Sequence, residues 1–242
     1  MIFHRPACKP RNLNLTINSI HIERVNNFKF LGLQINEHLT WADHVNHVSL
    51  KISRAIGILN KIKFQVPQHI LLTIYHSLVM SHCNFHLVIW GHNCASIFKL
   101  QKKAIRIITH SHFQSHTSLL FRKLELLTLP DLYSLAILKY YYSYVHQTLP
   151  LYHLSLNIYP NAAYHSYNTR NRYNLTIPII RHHFATKSIR HSVTTLINSL
   201  PQNISEKIHT HSLHALIAYF KNHLLGHYKP CEVLNCYICL LN

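Results

Sequence analysis

The apolar pattern of this sequence changes period at Trp41, and that change constrains the fold more than any other feature. Before Trp41, apolar and polar residues alternate along 13–17 and 20–25, as they do in half-buried strands. Residues 28–35 are predicted as a third strand, in which Gly32 indicates a bulge or a close backbone approach. After Trp41, apolar residues recur at spacings of three, four and one, which gives a helix a single apolar stripe. The stripe consists of Val45, Val48, Ile52, Ala55, Ile56, Leu59 and Ile62.

The same patterns predict the rest of the secondary structure. We expect helices over about 67–81, 96–109 and 129–147, with Thr128 as the cap of the last one. An extended stretch at 175–180 precedes a helix near 193–200, which Pro201 ends, and a helix over 212–225. With four Gly and nine Pro, the chain has too few turn residues for a turn-dense β-sandwich.

The sequence therefore predicts a mainly α protein with a short N-terminal β-hairpin or three-strand element. We divide it into four parts by composition and period. Residues 1–36 form the β element, 37–147 a helical domain, 148–174 a polar loop or linker, and 175–242 a small helical region with a cysteine-containing tail.

The charge balance indicates a polyanionic partner. Lys and Arg total 24 and Asp and Glu total seven, for a net charge of +17 with His neutral. Because 48% of the residues are hydrophobic, the chain is not a disordered basic tail. The few carboxylates are scattered singly, which disfavours carboxylate-driven catalysis and two-metal phosphoryl transfer.

Two helices carry the candidate nucleic-acid-binding residues. On the 96–109 helix, four cations share the face opposite the apolar positions, and no acid offsets them. Such a face can follow a phosphate backbone, whereas an ordinary solvated face usually mixes charges of both signs. These four cations are Lys99, Lys102, Lys103 and Arg106. A second, weaker set lies on the helix after Trp41: Lys51, Arg54 and Lys61.

The chain's end holds four residues of zinc-ligand type within thirteen positions: His227, Cys231, Cys236 and Cys239. Their order is not that of a standard zinc knuckle. We therefore favour a tail with free thiols over a zinc site, and we expect no metal or other cofactor in this chain.

Processing and membrane signals are also weak. The N-terminus has no apolar core of signal-peptide length, and the cysteines do not form a dense disulfide framework. The longest stretch without Asp, Glu, Lys or Arg, 64–98, is broken by polar residues every few positions, which predicts a buried helix rather than a membrane span. We expect an intracellular protein, nuclear or cytoplasmic, without a membrane partner.

Several segments, in order, resemble one known family. Residues 28–36, followed by Leu39, Thr40, Trp41 and His44, are similar to the segment after the palm motifs in reverse transcriptases of non-LTR retrotransposons (LINE-type, jockey-like). The similarity continues through Lys51–Arg54, Ile56–Leu59, Tyr75–Leu78, Trp90-Gly91, Leu100–Ile108, Asn168–Arg170 and Asn198–Pro201.

The resemblance implies a role for each part. Phe30, Leu31 and Gly32 would form the primer grip, and the helices after Trp41 would form a thumb that holds the RNA/DNA template–primer duplex. Polymerases of this family carry their Mg²⁺-binding aspartates in palm motifs upstream of the grip, and nothing acidic precedes Glu23 here. The expected product is a truncated RNA-directed DNA polymerase fragment without palm and fingers, inactive alone.

The sequence also departs from the family pattern, which keeps an alternative open. Ile197 stands where the family often has Trp, and Val193-Thr194 where Gly-Pro is usual. Such changes suggest a drifting copy. The alternative is a self-standing helical nucleic-acid-binding or interaction protein, co-opted from such an element.

Overall fold

The computed structural model describes residues 1–8, 14–150, 156–164, 167, 169–180 and 183–229, with the backbone alone at 183–184. This part of the chain is mainly helical and begins with short antiparallel strand pairs, which confirms the predicted fold class. None of its helices combines the length and apolarity needed to cross a membrane.

The N-terminal strands form two hairpins. β1 (Thr16–Ile17) pairs with β2 (Ile20–His21), and β3 (Asn27–Phe30) pairs with β4 (Leu33–Asn36). The prediction of one strand over 28–35 is therefore wrong, because the chain reverses at Leu31 and Gly32. Their φ values of 44° and 85° fit a two-residue turn with positive φ at both central positions.

Gly32 is required at this turn for a second reason. A Cβ atom there would lie 2.9 Å from two ring carbons of Phe85. The hairpin tip therefore sits directly on the Phe85 ring. Gly32 inside the predicted strand indicated a bulge or a close backbone approach, and the close approach is confirmed.

Ten α-helices follow β4 in the described residues. They are α1 (Ala42–Ile62), α2 (Gln68–Tyr75), α3 (Ser81–Asn84), α4 (Leu87–Trp90), α5 (Ala95–Ile108), α6 (Ser118–Lys123), α7 (Leu129–Val145), α8 (Ile189–Ser199), α9 (Gln202–Thr210) and α10 (Leu213–Gly226). A π-helical turn (His76–Met80) joins α2 to α3, and 3₁₀ turns lie at Gly91–Asn93, Asn161–Ala163 and His183–Lys187.

The helix pattern confirms most of the periodicity argument. The predicted stripe of α1 is buried except for half-buried Ile62, and α1 packs lengthwise against α5. The short helices α6 and α9 were not predicted. Pro201, interpreted as a helix end, also precedes the first turn of α9, a position that proline's fixed φ suits.

α7 organises the second half of the molecule, because α5 contacts it from one part of the chain and α8, α9 and α10 from the other. Thr128 caps α7 as predicted: its hydroxyl accepts from the Asp131 amide at 3.4 Å and donates to the Asp131 carboxylate at 2.6 Å. The Tyr228 hydroxyl accepts from the Thr128 amide at 2.9 Å and donates to Asp131.

The polar segment before α8 is tied down by one side chain. The amide of Asn198 donates to the carbonyl of Leu175 and accepts from its N–H, both at 2.8 Å. Pro160 forms an isolated antiparallel bridge with the same Leu175. Asn198 therefore fastens the described part of this loop to α8.

Candidate nucleic-acid interface

The rotation of α5 is fixed by a buried glutamine. Gln101 is fully buried, and its Nε2 donates to the Tyr75 hydroxyl at 3.0 Å and to the Leu127 carbonyl at 3.1 Å. Its Oε1 accepts from the Leu129 amide at 2.8 Å. These bonds join α5 to α2 and to the start of α7, and they leave the opposite face of α5 outward.

Our sequence analysis did not single out Gln101, although a signal was present. It is a lone amide within an apolar stripe that includes Ile97, Ala104 and Ile108. A buried polar group of this kind needs hydrogen-bond partners, which is what the fold supplies.

The outward face of α5 carries the four predicted cations. Lys99 and Lys103 are exposed, and Lys102 and Arg106 are half-buried. Lys102 places its Nζ 4.7 Å from the ring centroid of Phe98, and Arg106 donates from Nε to the Ser115 carbonyl at 2.9 Å. Burial lowers the pKa of Arg106 from its ordinary value.

Beside this face, a groove of about 440 Å³ separates α1 from α5 and the turn that follows. We call it the α1–α5 groove. Its lining is Ser53, Ile56, Gly57, Asn60, Lys63, Phe64, Lys103, Arg106, Ile107, His110, Ser111 and Phe113. Two of the four predicted α5 cations thus line a groove, together with Lys63 and His110, which our sequence analysis did not select.

The cations of the groove have no carboxylate partner. In the described part of the chain, every ion pair involves Glu37, which lies outside the groove lining. A surface with three cations and no local acid has a positive potential, and the groove shape concentrates it.

Two exposed phenylalanines lie in the groove lining. Phe64 is 81% exposed and Phe113 is 72% exposed. The Lys63 Nζ lies 4.9 Å from the Phe64 ring centroid, and the His110 ring stacks on Phe64 with centroids 5.6 Å apart and planes 28° apart. Exposed rings beside cations are the elements with which proteins hold unpaired bases.

The weaker set of predicted cations lies elsewhere. Lys51, Arg54 and Lys61 are exposed on α1, but none of them belongs to the groove lining. The charges of Lys51 and Arg54 reach His47 on the same helix, whose pKa is lowered first by burial and then by these cations and Lys29. The structure therefore places the weaker set on a basic surface of α1 that is separate from the groove.

The predicted primer-grip residues occupy the tip of the β3–β4 hairpin. Phe30 and Leu31 are 53% and 72% exposed, and Gly32 contacts Phe85. Other large apolar side chains of the two hairpins are exposed as well: Leu15, Ile17, Ile20, Ile22 and Phe28. The N-terminal hairpins thus present many apolar side chains to their surroundings, beside the exposed Lys29 of β3.

The C-terminal tail, for which free thiols were favoured over a zinc site, can be described only in part. His227 points its Nδ1 at the carbonyl of His223, 2.9 Å away. Cys231, Cys236 and Cys239 lie outside the described residues.

Comparison with known proteins adds no relative to this description. No protein-family model matches the chain, and neither the curated proteins nor the solved structures include a match.

Proposed function

We propose that this chain binds the RNA/DNA template–primer duplex as the thumb part of a non-LTR-type reverse transcriptase, and that it does not polymerise by itself. The α1–α5 groove is the observation that carries the proposal. It combines cations that lack carboxylate partners with exposed aromatic rings in one recess.

The groove chemistry matches two parts of such a ligand. Lys63, Lys103 and Arg106 can neutralise backbone phosphates, which supplies sequence-independent affinity. Phe64 and Phe113 offer faces on which unpaired template bases can stack. A thumb needs sequence-independent binding because it must hold every duplex that the polymerase makes.

The alternative is a self-standing nucleic-acid-binding protein of the same origin. The exposed apolar side chains of the hairpins favour the thumb interpretation, because large exposed apolar surfaces mark contact sites. In the proposed parent, this surface would pack on the rest of the polymerase. A self-standing protein would have to tolerate it uncovered.

The groove itself provides a sharp test at Gly57. Gly57 lines the groove, and a Cβ atom at this position meets nothing within 4 Å, so a side chain can begin there without a clash at its first atom. Gly57→Glu places a carboxylate beside the groove cations and also replaces a helix-interior glycine, which favours the helix by up to about 1 kcal/mol. Reduced binding would therefore not reflect a weakened fold.

The matched control is Gly226→Glu, because Gly226 also has open space around its Cβ position and lies at the end of α10. Fluorescence anisotropy with an RNA/DNA primer–template should show roughly tenfold weaker binding, or about 1.4 kcal/mol, for Gly57→Glu only. Equal affinities for both variants would contradict the groove as the binding surface.

A further inference from the structure

A compact cluster of His4, Glu37 and His38 lies where the N-terminal segment meets the end of β4. Nε2 of His4 lies 3.2 Å from Oε2 of Glu37, and Nε2 of His38 lies 3.8 Å from Oε1 of Glu37. The three potential ligand atoms all lie within 4.8 Å of one another. The main chain supports the arrangement, because the His4 amide donates to the Glu37 carbonyl at 3.0 Å.

The other ring nitrogens set the tautomer of both histidines. Nδ1 of His4 lies 2.9 Å from the Arg5 carbonyl oxygen, and Nδ1 of His38 lies 3.1 Å from the His4 carbonyl oxygen. Since a carbonyl can only accept, each Nδ1 carries a hydrogen. In the neutral ring the lone pair is then on Nε2, the atom nearest the carboxylate. Metal-bound histidines are commonly held in this way.

A cation also holds the carboxylate from outside. Arg24 donates from Nη2 to Oε2 of Glu37 at 3.2 Å. Oε1 of Glu37 remains on the side of His38. A metal bound through Oε1 could therefore form without breaking the Arg24 contact, which would continue to orient the carboxylate.

We propose that His4, Glu37 and His38 bind a Zn²⁺ ion. Two imidazoles and one carboxylate are a donor set that holds Zn²⁺ with a fourth position open. With bonds of about 2.0–2.1 Å, ligand atoms of a tetrahedral site lie about 3.3 Å apart. The three potential ligand atoms lie within 4.8 Å of one another, so they would have to draw together by up to about 1.5 Å around the ion.

The fourth position has space beside it. A cavity of about 620 Å³ is lined by the three ligands together with Phe3, Arg5, Pro6, Ala7, Leu39 and Ala185. A water molecule or an oxygen ligand can occupy this position. The bound ion would also tie the N-terminal segment to the β4–α1 connection. This inference does not depend on nucleic-acid binding, because the cluster shares no residue with the α1–α5 groove.

The test must separate this site from the cysteine tail. We would titrate Co²⁺ into the full chain carrying Cys231→Ser, Cys236→Ser and Cys239→Ser and record the visible spectrum. One tight equivalent with d–d bands and no sulfur-to-metal charge transfer is expected. Adding His38→Gln should weaken Co²⁺ binding at least tenfold. The matched control His69→Gln, at an exposed position of α2, should not change it.

A second readout covers effects on folding. Zn²⁺ should raise the Tm of the parent chain and of the His69→Gln variant, but not that of His38→Gln, while all three melt alike with a chelator. If the parent and His38→Gln bind Co²⁺ equally, or if Zn²⁺ shifts their Tm values equally, the proposal is wrong. The three side chains would then form only an ion-pair cluster.

Discussion

His44 is a histidine whose charge state the fold constrains strongly. It is 2% exposed, and its Nδ1 accepts from the backbone N–H of Gln34 at 3.4 Å. Its ring packs edge to face on Trp90 with centroids 5.5 Å apart. Its Nε2 is buried without a hydrogen-bond partner in the described residues. Burial lowers the pKa of His44 to about 4, helped by the positive charges of His47, His86 and Lys51.

This shift predicts acid destabilisation. Between pH 6.5 and pH 4 the unfolded chain binds the His44 proton and the folded chain does not, so stability rises with pH across that window. His44 should contribute a loss of roughly 2 kcal/mol in the free energy of unfolding between pH 7 and pH 5. Urea denaturation at the two pH values measures the loss.

The control for this prediction keeps a hydrogen-bond acceptor for the Gln34 backbone N–H and removes the titratable imidazole. In His44→Asn the side-chain oxygen can replace Nδ1 as acceptor for Gln34, so the extra loss at pH 5 should disappear. His69→Asn, at an exposed position of α2, should retain the wild-type pH dependence. Identical pH dependence in His44→Asn and wild type would show that His44 does not titrate as inferred.

Sequence reasoning found the charged residues of the site better than the residues that position them. The α5 cations were visible because a run of Lys and Arg without acids is a local pattern. Gln101 and Asn198 act through partners 23 to 28 residues away in sequence, and nothing local specifies those partners. Their roles become visible only when the helices are packed.

At the scale of elements, α1 and α5 contribute differently to the proposed interface. Their packing turns Gly57 and Asn60 of α1 toward the groove and leaves Lys51 and Arg54 outside it. Lys63, immediately after α1, supplies the cation on the α1 side of the groove. The helical period predicted which α1 residues are buried, but the flank that borders α5 depends on how the two helices pack.

This geometry predicts which lysines set the salt dependence of duplex binding. Each phosphate neutralised contributes about −0.9 to the slope of log affinity against log salt for B-DNA. Lys63→Gln with Lys103→Gln should therefore reduce the magnitude of the slope by about 2, because two phosphate contacts are lost. Anisotropy titrations at several salt concentrations measure it.

The matched pair for that experiment is Lys51→Gln with Arg54→Gln, which removes the same charge from the other basic surface. We expect this pair to leave the slope nearly unchanged. If the Lys51 and Arg54 pair changes the slope more than the Lys63 and Lys103 pair does, the interface lies on the flank of α1 that holds His47.

The β element shows where predicting strands from the spacing of apolar residues went wrong. The apolar positions change parity within the run from Phe28 to Ile35, because a single strand would place Phe28 and Phe30 on one face but Leu33 and Ile35 on the other. The hairpin pairs Phe28 with Ile35 and Phe30 with Leu33, which puts all four on one face. The positive φ at Gly32 and its close approach to the Phe85 ring fit the hairpin and not a single strand. The change of parity was therefore a local signal for the turn, and the prediction of one strand did not use it.

At the scale of the whole molecule, the proposal separates binding from catalysis. Three of the six described carboxylates have local tasks: Glu37 lies in the histidine cluster, Asp131 caps α7, and Asp43 accepts from the side-chain amide of Asn36 at 3.0 Å. Two-metal phosphoryl transfer requires carboxylates that hold two ions about 3.5–4 Å apart. Among the described residues, they do not form such a set.

We therefore expect the purified chain to bind a primer–template without extending it. Incubation with labelled nucleotides and either Mg²⁺ or Mn²⁺ should give no incorporation, while an active polymerase in the same buffer extends the primer. Metal-dependent extension by the pure chain would contradict the proposed division between binding and catalysis.

The contact between Asp131 and Tyr228 also bears on how the molecule forms during translation. The two residues are 97 positions apart, and Tyr228 is buried once the contact is made. At about 5–20 residues per second, a ribosome needs roughly 5–20 s to progress from one to the other. The contact between Asp131 and Tyr228 therefore cannot form until α8, α9 and α10 have been synthesised, and until then Asp131 lacks this partner. The α1–α5 body can pack within that interval, so the nascent chain should close its two halves in order, from its N-terminus to its C-terminus.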